Sequence, residues 1–109
     1  MDATTFAALG EPTRLRIVEL LRSGPSPVGQ IAEQLGIRQP QASKHLGVLR
    51  DAGVLDVEPV ARQRIHRLRD EPFIEIGAWL RTFEQQWEAR LDTLGEVLRA
   101  MGQASDPRD

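Results

Sequence analysis

Apolar residues recur three and four apart through most of this chain, and glycine or proline marks the places where that period breaks. Phe6, Leu9 and the alanines around them form a short apolar stretch closed by Gly10, which predicts a first helix near residues 3–9. In PTRLRIVELLRSG, Leu15, Ile17, Val18 and Leu21 fall at helical spacing. Pro12 suits the first turn, where its missing N–H has no helical partner, and Gly24 ends the element. SPVGQIAEQLG predicts a short third helix with Ser26 as its cap and Pro27 in the first turn. Val28, Ile31, Ala32 and Leu35 share its inner face. After the break at Gly36, Ile37 and Arg38, QPQASKHLGVLRDAG turns Ala42, Leu46 and Leu49 inward and stops at Gly53. Two short helices joined by a tight glycine-containing turn form a helix-turn-helix.

The period then changes. VLDVEPVARQRIHRL places Val54, Leu55, Val57 and Val60 before a polar tip and Ile65 and Leu68 after it, which predicts a two-stranded hairpin over 54–69. Pro59 confines its strand to an edge or a strand end, because proline cannot donate to the ladder. From Pro72 onward, Phe73, Ile76, Leu80, Phe83, Trp87, Leu91, Leu94, Leu98 and Met101 are separated by threes and fours that average 3.5 residues. That narrow seam, over about 72–101, has the coiled-coil period. A helix of about 30 residues extends roughly 45 Å, more than a domain this small can cover. A second copy of the same helix is the simplest cover, and packing on the chain's own domain is the alternative. The fold class is thus mainly α with a small β-hairpin wing, a winged helix-turn-helix with terminal helices forming a dimer interface. Residues 1–102 form one domain, and QASDPRD, 103–109, is expected as a disordered tail.

Composition narrows the function more by exclusion than by assignment. A chain of 109 residues with 40% apolar and 28% charged residues has the balance of one globular domain. With no cysteine, disulfides and thiolate metal sites are excluded, and no run approaches the ~20 apolar residues of a membrane span. The N-terminus lacks a signal-peptide pattern, so a soluble, cytoplasmic protein is expected. The net charge of −2 hides a strong asymmetry. Residues 1–37 carry −1, residues 38–69 carry +4 from seven Lys/Arg against three acids, and residues 70–109 carry −5. A positive middle between negative ends points to local contact with a polyanion, although an ordinary solvated charged face has the same composition.

The triplet Ser43-Lys44-His45 invites a catalytic reading that geometry rejects. Residues two apart on a helix are turned about 200° from each other, so Ser43 and His45 cannot pair as nucleophile and base. Metal binding lacks a partner set, because His66 is the only other histidine and neither has a ligand at helical spacing. Nothing resembles a phosphate loop or a nucleophile elbow. No catalytic residue, metal or cofactor is therefore expected, and the chain is not an enzyme. DNA contact accounts for more residues together. The start of the second helix of a helix-turn-helix enters the major groove, which brings Arg38, Gln39, Gln41, Ser43 and Lys44 to base edges and phosphates. Arg50, and Arg62, Arg64 and Arg67 on the wing, extend the contact to flanking backbone or minor groove. His45 precedes the core Leu46, and both a half-buried packing role and a phosphate contact fit that position.

The runs LGEPTRLRIVELL, QIAEQLGIRQPQASKHLGVLRDAGVLDVE and RQRIHRL, in that order, make residues 3–101 resemble the ArsR family of bacterial winged helix-turn-helix repressors. The resemblance implies a homodimer that binds an imperfect palindrome in double-stranded operator DNA, with the recognition helix at 39–51. It implies a dimer interface from the first and last helices, here Phe6, Leu9, Phe73, Ile76, Leu80, Phe83, Trp87, Leu91, Leu94 and Leu98. Many family members sense metals through cysteines on the third helix or His and Asp on the last. Here the third helix reads PVGQIAEQL and the last has no histidine, so metal sensing is not carried over. WLRTFEQQWEARLDTL is similar to the last helix of cysteine-free members. Where the family often has a capping Ser stands Arg38, and where it often has a wing-tip Gly stand Ala61 and Arg62, which predicts a wider wing turn. Two further readings compete: a winged helix that binds protein instead of DNA, and a repressor whose small-molecule effector uses Trp79, Phe83 and Trp87. The first would predict few basic residues on helix and wing, the opposite of this chain, and aromatics at helical spacing are more often core than pocket.

Overall fold

The computed structural model describes residues 2–105, with side chains described through 102. Helix α1 (Ala3–Leu9) is capped by Asp2, whose carboxylate accepts the Thr4 N–H at 3.0 Å. Helix α2 (Pro12–Leu21) is capped by Glu11, which accepts the Arg14 N–H at 2.9 Å, and Pro12 occupies its first turn as predicted. Helix α3 covers Val28–Leu35 and helix α4 covers Gln39–Asp51. Gly36 ends α3 at a φ of 69°, a left-handed conformation that glycine adopts without strain. The Gly36 and Ile37 amides return to the Glu33 and Ala32 carbonyls at 3.2 and 3.0 Å, which fixes the turn into α4.

The start of α3 differs from expectation. Ser26 does not cap it: Ser26–Pro27 is a two-residue strand, β1, and Pro27 takes the cap position without a side-chain bond. A residue before proline is driven toward extended backbone, and here that extended pair lies along β3 (Gln63–Leu68), with Ser26 opposite His66. The wing is therefore part of a three-stranded antiparallel sheet in the order β1-β3-β2, with β2 at Leu55–Val60. Pro59 lies on the edge strand β2, opposite Arg64, as its missing N–H requires. The wing turn is tight rather than wide. Val60 pairs directly with Gln63, leaving only Ala61 and Arg62 between the strands, and Ala61 makes the reversal at a φ of 56°.

The core is built where these elements meet. Ala8, Ile17, Val18, Leu21, Ile31, Leu46, Leu49, Val54 and Leu55 form one buried cluster, and Leu9, Val28, Leu35, Val57, Leu68 and Phe73 pack against it. Of the apolar residues at helical spacing in α2, Ile17, Val18 and Leu21 are buried and Leu15 is half exposed. Helix α5 runs from Asp70 to Ser105, longer at both ends than 72–101. Asp70 and Glu71 stand in its first turn, where carboxylates favour the positive end of a helix. The expected tail is thus helical through Ser105, and the rest of it lies outside the described residues. By compactness the chain divides into two units, Met1–Glu75 and Ile76–Asp109.

Candidate nucleic-acid interface

Arg38, Gln39, Gln41, Ser43, Lys44 and Arg50 are all exposed, while Ala42, Leu46 and Leu49 face the core. The helical period separates the exposed set into three positions. Lys44 stands on the crest, opposite the buried stripe. Gln39, Ser43 and Arg50 line the flank toward the wing, and Gln41 lies on the other flank. Arg38 caps α4 with its backbone alone, at φ −75° and ψ 145°, and its exposed side chain makes no cap bond.

A cleft of about 780 Å³ separates this flank from the wing, and Gln39, Ser43, Arg50, Arg62, Arg64 and His66 are among its lining residues. Three guanidiniums thus face one space in which Glu33 is the carboxylate, a local positive field despite the negative net charge. Strand alternation puts Arg64 on the same face as His66 and Leu68. Arg67 falls on the other face, directly opposite Asp56, and does not join the wing arginines.

His45 turns away from Lys44 and Ser43. Its ring is mostly buried, with 17% side-chain exposure, its Nδ1 lies 3.4 Å from Arg14 Nη1 and 3.7 Å from Glu11 Oε2, and so the packing role is the one its surroundings support. Glu11 is held below the usual carboxylate range, first by the Arg14 backbone N–H and then by that of Thr13, with the Arg14 charge acting the same way.

His66, passed over in the sequence except as a poor ligand, is a buried polar centre of the sheet. It is 7% exposed, and among the described residues its Nδ1 and the Ser26 Oγ have no hydrogen-bond partner. Desolvation pushes its pKa below the ordinary value, against the raising effect of the Ser26 and Arg64 backbone, and the Arg64 and Arg50 charges add smaller pushes downward. The signal was present in the alternation of β3, where a residue between Arg64 and Leu68 shares their face. No group of three or more His, Asp or Glu residues suited to a metal occurs among the described residues.

Of the residues assigned to the interface between copies, Leu9 and Phe73 are partly buried on the chain's own core, and Ile76 is half-buried. Phe6 is exposed, and Leu80, Phe83, Trp87, Leu91, Leu94 and Leu98 are exposed by 43–59%. Trp79 and Phe83 meet edge to face at 4.9 Å, and the Arg90 guanidinium lies 5.6 Å from the Trp87 ring centre. The aromatics therefore sit on an open helix face.

A helix-turn-helix followed by a two-stranded wing, with basic side chains concentrated on both, defines the winged helix-turn-helix class. A family model described as a helix-turn-helix domain matches residues 9–58. A solved ArsR family transcriptional regulator superposes with a TM-score of 0.71 at 31% identity, covering 79% of this chain and 94% of that one. The homodimeric winged helix-turn-helix DNA-binding domain of a possible ArsR-family regulator from Mycobacterium bovis superposes with a TM-score of 0.64 at 25% identity, covering 77% and 78%. The biofilm growth-associated repressor of Agrobacterium fabrum is 39% identical over 69 residues, 63% of this chain and 59% of its own. The chain thus spans about three fifths of the curated relatives it matches. It belongs to the ArsR family of transcriptional regulators.

Proposed function

We propose that the protein is a homodimeric transcriptional repressor that excludes RNA polymerase by occupying an imperfect palindrome in promoter DNA. The observation that carries this reading is the exposed set Arg38, Gln39, Gln41, Ser43 and Lys44 at the start of α4, of which Gln39 and Ser43 line one cleft with Arg62 and Arg64 of the wing. Gln pairs bidentately with adenine and Arg with guanine, whereas Ser and Lys hold phosphates. The exposed seam of α5 with Phe6 supports pairing of two copies, and two copies present two recognition helices to two half-sites. Among the described residues no helix is long and apolar enough to cross a membrane, which suits a cytoplasmic regulator.

Footprinting on the intergenic DNA next to the gene tests the reading. A protected site with two half-sites about one helical turn apart is expected; retention of DNA without a preferred site would sink the idea. Lys44→Ala should weaken all sequences alike and lower the salt slope of the bound dimer by about two, one for each copy, whereas Gln41→Ala should change base preference at one position per half-site, by about 1–3 kcal/mol. Binding-site selection at two salt concentrations separates the two.

A further inference from the structure

We propose that Arg14 couples helix α1 to the recognition helix, by holding the last turn of α1 and His45 of α4 with one guanidinium. Arg14 donates from Nε to the Ala8 carbonyl at 2.6 Å and from Nη2 to the Ala7 carbonyl at 3.4 Å. Both carbonyls lie in the last turn of α1, where Ala7 also accepts the Gly10 N–H at 3.3 Å and the end of the helix leaves carbonyls short of donors. The other edge of the same planar group brings Nη1 to 3.4 Å from His45 Nδ1. A guanidinium does not give up its proton, so Nη1 is the donor and Nδ1 must be the acceptor, which places the imidazole proton on Nε2. Glu11 stands beside this contact: its carboxylate accepts the Arg14 backbone N–H at 2.9 Å and lies 3.7 Å from His45 Nδ1.

The fork is rigid, so the end of α1 and the His45 ring are held at one separation. His45 in turn belongs to the same helix as Gln41 and Lys44, and a shift of its ring is a rotation of the reading face. Helix α1 also carries the exposed Phe6. What displaces α1, including the loss of a second copy against it, is thereby transmitted to α4. Arg14 touches neither bases nor phosphates in this scheme and acts as a positioning residue.

The inference rests on the DNA-binding reading, and the two fail differently. Affinity is measured by anisotropy with the full chain and a labelled duplex carrying the footprinted intergenic site, beside melting curves. His45→Asn puts an acceptor oxygen near the position of Nδ1, His45→Gln puts an amide near Nε2, and His45→Leu supplies neither. Arg14→Lys keeps the charge but not the fork. His45→Asn should stay within about twofold of the parent, while His45→Leu and Arg14→Lys each lose about tenfold, the size of one charge-assisted bond. The double variant should be no worse than either single one. Full affinity in His45→Leu, additive losses, or rescue by Gln instead of Asn would overturn the coupling, the last by showing a phosphate contact through Nε2. If the parent binds no DNA, the functional reading fails, and hydrogen exchange of residues 39–51 in the free protein still decides the coupling. Faster exchange in Arg14→Lys and His45→Leu but not in His45→Asn supports it; unchanged exchange refutes it.

Discussion

His66 and Ala61 carry the least ordinary conditions in the wing. His66 is buried in its neutral form, because desolvation and the Arg64 and Arg50 charges all disfavour the cation. The unfolded chain protonates near the ordinary histidine value of about 6.5. A lowered folded pKa then means that the stability is full above that value and is lost as pH falls from it toward the folded pKa. Urea denaturation at pH 7.5 and 5.5 should show this loss, and His66→Phe should reduce it; a loss of the same size in the variant would place its origin elsewhere. Ala61 bears a φ of 56°, a conformation that costs a non-glycine residue about 1–2 kcal/mol. Glycine removes that strain but adds roughly 0.4–1 kcal/mol of unfolded-chain entropy. Ala61→Gly should therefore stabilise the protein by about 0.5–1 kcal/mol, read as a higher denaturation midpoint with an unchanged slope.

Helix α4 has a start that trades stability for charge. Its N-cap is Arg38, which leaves the first amides without a side-chain acceptor. Arg38→Ser should add about 0.5–1 kcal/mol of stability while removing one cation from the groove side. Thermal melting and salt-dependent DNA titration on one variant would show the two effects with opposite sign: a higher Tm, and a salt slope smaller by about two, one for each copy. A lower Tm would mean that Arg38 makes a stabilising contact of its own. The wing shows a similar division. Its core face, Leu55, Val57, His66 and Leu68, attaches the hairpin to the domain, and the turn presents Arg62 and Arg64 beyond it.

Taken as a chain, the protein has its excess of acids after residue 69, where the exposed apolar seam of α5 also lies, and its excess of cations in residues 38–69. That separation suits a molecule that pairs with itself through one unit and meets an anion with the other. Leu91, 59% exposed in the middle of the seam, is a sensitive place to test the pairing. Leu91→Glu should convert a dimer to a monomer in sedimentation equilibrium without loss of helical signal. Affinity for a palindromic duplex should then fall by about a hundredfold or more, since the second half-site is no longer held at high effective concentration. An intact dimer in this variant would move the interface away from the seam.

Much of the architecture was legible from local pattern. The periods of α2, α3 and α4, the glycine turn between α3 and α4, the edge position of Pro59 and the length of α5 all follow from residues within a few positions of one another. The concentration of Arg38, Gln39, Gln41, Ser43, Lys44, Arg62 and Arg64 on neighbouring elements was visible for the same reason. Other features depend on partners far along the chain: Ser26 becomes a strand because β3 offers it His66, His45 turns inward because Arg14 and Glu11 wait there, and Arg67 leaves the cleft because the ladder register sets it against Asp56. Helical period and turn chemistry are local properties of the backbone, so the amino-acid order alone determines them; the direction of a polar side chain is set by which distant group satisfies it, and only the folded chain brings that group near.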